Sequence, residues 1–137
     1  MNVRINHKIV WILIVVYFLI GWGWYAIWGD IWLNQHAKTA TDIEHTHTFG
    51  PYVLAFVASI VINYVLAVLI ERTHPESPWC GVKVALALWV VLFLEYATIS
   101  VFSAFETNPW PLICIDMCRP LVGMAISGLV LGAWRKR

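Results

Sequence analysis

Three ionisable residues fall inside stretches apolar enough to lie in hydrocarbon: Glu95, Asp116 and Arg119. A charge at bilayer depth is costly, so such residues face a bundle interior or a water-filled cavity and mark ion pathways, proton relays or binding sites. Two carboxylates with one guanidinium leave an excess negative charge. Either one carboxyl keeps its proton, or water or a cation reaches the group. Two chemistries fit. One is structural: an ion pair of Arg119 with Glu95 or Asp116 that fixes helix register. The other is functional: a binding site, or a proton or ion path. By helix rise, Glu95 lies about 14 Å and Arg119 about 10 Å below the same end of their spans. Asp116 is a turn from Arg119 on the same face. Tyr17, Ser59, Asn63, Tyr96 and Thr98 fall at similar depth, so the sequence predicts a polar layer fed by four helices.

A second group lies in a polar connection: His36, Asp42, Glu44, His45 and His47. Imidazole and carboxylate at this density make it a candidate Zn²⁺ or Cu²⁺ site. A solvated loop or an external pH sensor has the same composition. No other cofactor is expected. Cys114 and Cys118 share a helix face and Cys80 stands alone; all three read as small packing residues. No phosphate loop, GxSxG elbow or zincin motif is present, and no nucleophile sits beside a base. No catalytic residue is therefore assigned.

The elements that must position these groups follow from composition. The chain has 137 residues, 61% apolar and 12% charged, where a soluble domain carries about 25% charged residues. Four apolar stretches, 9–28, 51–70, 83–104 and 112–133, account for the difference. About 20 residues of helix span the roughly 30 Å hydrocarbon core. The expected fold is all-α: an integral membrane four-helix bundle, one domain over residues 1–137, with an external connection at 29–49. Short connections predict that neighbouring helices are antiparallel. The first stretch follows Arg4 and Lys8 but is too long for a signal-peptide core, and it reads as a retained helix.

Topology comes from the basic residues. Arg4, Lys8, Arg72, Lys83, Arg135, Lys136 and Arg137 fall on one side; only Lys38 falls on the other. The positive-inside rule puts both termini in the cytoplasm, with the bacterial inner membrane as the expected location. No basic patch remains for nucleic acid. Nine Trp residues are present. Trp24, Trp28, Trp32 and Trp110 outside, with Trp11, Trp79 and Trp134 inside, predict aromatic belts at headgroup level. Pro120, directly after Arg119, removes the N–H that would bond the Asp116 carbonyl and predicts a kink. Gly128 and Gly132 form a GxxxG pattern, with Gly123 and Ser127 as another small pair. Such stripes favour close helix packing, within one chain or between copies.

Trp24-Tyr25, then Gly29 and Trp32, resembles the opening of small bacterial membrane proteins grouped as domain of unknown function 1761. Phe49-Gly50 and Leu112-Ile113-Cys114-Ile115-Asp116, before a Gly-rich ending, extend the likeness over nearly the whole chain. The resemblance implies four membrane helices and an aspartate at position 116, and no activity. Family members often carry an aromatic–histidine pair soon after that aspartate; Arg119-Pro120 stands there instead.

Two functions are expected from these features. One is an oligomeric transporter- or channel-like protein whose pathway uses Glu95, Asp116, Arg119, Asn63 and Tyr17. The other is a non-catalytic accessory subunit of a larger membrane complex, packed through aromatic and small-residue faces. The bilayer is a partner in both. A membrane enzyme or a lipid- or quinone-binding protein has the least sequence support.

Overall fold

A computed structural model describes residues 4–37, 39, 41, 49–74, 76–103 and 108–134. It contains helices α1 (His7–Gln35), α2 (Gly50–Thr73), α3 (Pro78–Ser103) and α4 (Trp110–Ala133). All four are long and apolar enough to cross a membrane. No strand occurs among the described residues.

The helix ends follow local chemistry. α2 and α4 each carry proline in the first turn, where its missing N–H costs nothing. α3 opens on Pro78, five residues before the apolar stretch at 83–104 begins. α2 stops at His74, which takes the left-handed conformation at φ 45°. The largest departure from the sequence reading is in α1. The apolar stretch ends at Trp28 and the external connection was expected from residue 29; the helix continues to Gln35. Nothing in Asp30-Ile31-Trp32-Leu33-Asn34-Gln35 breaks a helix, and the extra turns hold Trp32 against α4. With 29 residues, α1 is about 43 Å long, more than the roughly 30 Å hydrocarbon core.

The apolar core is concentrated towards one end of the bundle. Val10, Leu13, Ile14 and Tyr17 of α1 meet Leu66, Ala67 and Ile70 of α2, with Met124 and Leu131 of α4. Their spacing of three or four residues puts each set on one helix face. α3 packs chiefly on α4, through backbone contact. A Cβ on Gly81 would stand 2.1 Å from the Gly128 carbonyl oxygen, and one on Gly132 would stand 2.9 Å from the Pro78 carbonyl oxygen. The GxxxG stripe is thus used within the chain. At the other end of the bundle α2 is loosely held, with Pro51 to Ala58 all exposed.

A carboxylate hub beside a cation-lined cavity

α4 carries Asp116 and Arg119 one turn apart, and the neighbouring helices treat them differently. Asp116 is enclosed by donors. The Tyr25 hydroxyl donates to Oδ1 at 2.7 Å and the Trp32 indole donates to the same oxygen at 3.0 Å. The Tyr96 hydroxyl donates to Oδ2. Tyr25 and Trp32 are seven apart on α1 and so share a face; their rings meet edge to face at 6.0 Å. One carboxylate therefore ties α1 and α3 to α4, and charge-assisted bonds of this kind are stronger than neutral ones.

Two more indoles reach the α4 backbone. Trp24 donates to the Ile115 carbonyl at 2.9 Å and Trp89 donates to the Met117 carbonyl at 2.9 Å. These carbonyls flank that of Asp116, which Pro120 leaves without its helical donor. α4 runs unbroken through Pro120, with the flanking turn held from both sides. Trp24 and Trp32 are therefore hydrogen-bond donors into the bundle as well as residues of an aromatic belt. Of the other residues expected in the belts, Trp11, Trp28, Trp79, Trp110 and Trp134 are exposed.

Arg119 has no such enclosure. Its guanidinium carbon lies 6.0 Å from the Tyr25 ring centroid, at the outer range of a cation–π contact. Its Nε is buried without an acceptor. It makes no ion pair with Asp116 or Glu95, contrary to the expected bridge: the Asp116 oxygens are taken up by Tyr25, Trp32 and Tyr96, and Glu95 is exposed on the periphery of α3. Gly21 makes room for the guanidinium, since a Cβ there would stand 3.1 Å from Nη1.

The side chain instead lines a cavity of about 580 Å³ between the last turns of α1 and the first turns of α2. Phe18, Trp22, Tyr25 and Trp32 line it from α1, and Tyr52 and Ser59 from α2. That volume is ordinary for a small-molecule site. Below it, buried polar groups continue along the α2–α4 contact. Ser127 Oγ donates to Asn63 Oδ1 at 2.8 Å, and Asn63 Nδ2 donates to the Ser59 carbonyl at 2.9 Å. Tyr17 is buried with its ring against Gly123, and its hydroxyl has no partner.

Glu95 stands apart from this layer, exposed on α3. Adjacent helical residues point about 100° apart. Tyr96 takes the α4-facing position, so Glu95 is turned to the periphery. Thr98 is likewise exposed and bonds its own helix at the Leu94 carbonyl, 2.7 Å away. Of the candidate metal ligands, Asp42, Glu44, His45 and His47 lie outside the described residues. His36 packs its ring on Trp32 at 4.0 Å, with Nδ1 2.9 Å from the Trp32 carbonyl oxygen. Sequence reasoning missed Tyr25, Trp32 and Gly21. The one available signal was helical spacing: residues 21, 25, 29 and 32 form a single stripe on α1.

The profile of the family described as "Protein of unknown function (DUF1761)" matches residues 9–132. The chain belongs to that family. Neither the curated proteins nor the solved structures include a match.

Proposed function

We propose that this is a small transporter-like membrane protein that captures an anion at Arg119. It spans the bacterial inner membrane as a bundle of antiparallel neighbours with both termini in the cytoplasm, so the cavity lies towards the outer face. The observation that carries this reading is Arg119, whose Nε is buried without an acceptor and whose side chain lines a cavity of ligand size. A buried donor left without an acceptor costs about 1–3 kcal/mol, more on a charged group, and an anion held there removes that cost. Asp116, held by three donors from α1 and α3, positions the helices around the cavity. The run Ser59, Asn63, Ser127 supplies a polar route inward. Uptake of labelled organic acids and phosphate into proteoliposomes tests the idea. Arg119→Gln abolishes uptake while Arg119→Lys keeps part of it, and Glu95→Gln leaves it unchanged. Undiminished uptake by folded Arg119→Gln refutes the assignment.

A second reading, as a subunit of a homo-oligomer or larger membrane complex, is favoured by Glu95. This carboxyl is exposed on α3, where only 6% of the residues in the most apolar stretch are buried. An ionisable group at bilayer depth is normally covered by protein, which makes α3 the joining surface. A native mass in mild detergent equal to one copy would rule this out.

A further inference from the structure

The ligand class can be named from the cavity's walls and its opening. This step rests on Arg119 being an anion site. Apart from Arg119 and Ser59, the lining is aromatic or aliphatic, with Phe18, Trp22, Leu33, Tyr52 and Ala55 among its residues. The rim reaches the lateral surface of the bundle: Trp22 is 69% and Tyr52 56% exposed. On helices that cross a membrane, that surface meets acyl chains.

Gly29 is an independent sign. It lines the cavity, yet a Cβ placed on it would find no atom within 4 Å. A mid-helix glycine costs about 0.5–1 kcal/mol relative to alanine. Packing does not require this one, unlike Gly21 beside Arg119 or Gly81 against Gly128. Its effect is to leave the cavity wall open beside the rim. A soluble anion would be poorly served by such walls, because burying apolar surface around it returns nothing. An anion with a hydrocarbon body uses both parts of the site.

We infer that the cavity binds a single-chain amphiphile with an anionic head, taken from the membrane through the gap between α1 and α2. The head, a carboxylate or a phosphate, pairs with the Arg119 guanidinium, which suits either geometry. The chain lies along Trp22, Gly29 and Tyr52 and leaves through the rim.

The test uses the full chain in lipid nanodiscs with a diazirine-bearing fatty acid, and the crosslinks are mapped by peptide mass spectrometry. Wild type is expected to crosslink within residues 22–33 and 51–55. Arg119→Gln lowers that yield about tenfold or more, the effect of losing a charge-assisted hydrogen bond. Gly29→Leu, which fills the cavity without touching Arg119, lowers it equally. Gly23→Leu, which also meets no neighbour within 4 Å but does not line the cavity, leaves it unchanged. Palmitate and a lysophosphatidate compete, and whichever competes better identifies the head group; hexadecanol, which is neutral, does not compete. Crosslinking that survives Arg119→Gln, or that hexadecanol suppresses as well as palmitate, overturns the inference. If cavity crosslinks are absent but benzoate or inorganic phosphate raises the Tm of wild type and not of Arg119→Gln, the anion site stands and the amphiphile is wrong. If neither happens, both readings fail.

Discussion

Replacing Asp116 by asparagine keeps the side chain's shape and removes its charge, which isolates what the hub contributes. In the structure two oxygens accept from three donors, two on α1 and one on α3. Hydrogen bonds to an ionised acceptor contribute about 1.5–3 kcal/mol, against about 0.5–1.5 kcal/mol for neutral ones. Neutral bonds between helices in a bilayer average nearer 0.6 kcal/mol. Asparagine can still accept from Tyr25 and Trp32 at Oδ1, and its amide can donate to the Tyr96 hydroxyl. The loss is then the difference between charged and neutral bonds, about 1 kcal/mol at each contact and about 3 kcal/mol in total. Reversible unfolding in bicelles measures this directly. A double-mutant cycle sharpens it: Tyr25→Phe costs about 1.5–3 kcal/mol in wild type and about 0.6 kcal/mol in the Asp116→Asn background, where only a neutral bond is lost. An Asp116→Asn protein within about 0.5 kcal/mol of wild type, with an additive cycle, would refute the carboxylate hub.

Other expectations concern the helices around it. Gly81→Ala drives a methyl group into the Gly128 backbone and destabilises by about 1–3 kcal/mol despite alanine's better helix propensity; Gly23→Ala meets nothing and stabilises by up to about 1 kcal/mol in the same assay. Trp89→Phe strips the indole donor from the Met117 carbonyl and lowers stability by about 1–2 kcal/mol, whereas Trp79→Phe, at an exposed site, changes it by less than about 0.5 kcal/mol. Fluorescent-protein and alkaline-phosphatase fusions to the C-terminus check the topology: fluorescence without phosphatase activity is expected, and the reverse would invert the bundle.

Much of the architecture was readable because bilayer depth constrains sequence strongly. Four apolar stretches become four long helices, and Asp116 and Arg119 stand out as charges among Leu, Ile and Val. The partners were harder to read. Tyr25 and Trp32 carry the composition of an interfacial belt, and only the continuation of α1 past Gly29 brings Trp32 over α4. Glu95 and Tyr96 are neighbours in sequence and divide between periphery and hub by a rotation that composition does not reveal. The ion pair expected for Arg119 failed for a related reason: neutral aromatic donors can satisfy a carboxylate as fully as a cation can. The small-residue stripe was legible as a packing face, but its choice of Gly81 and Pro78 over another copy depends on how closely two backbones meet.

That close meeting has a mechanical consequence. Where the α3 and α4 backbones touch, no side chain lies between them to change rotamer and absorb a displacement. Sliding one past the other would lift glycine carbonyls over each other, so the two helices move as one rigid strut. Arg119 sits on that strut, so the part of the cavity wall it forms is fixed relative to α3, and α1 and α2 supply the walls that face it.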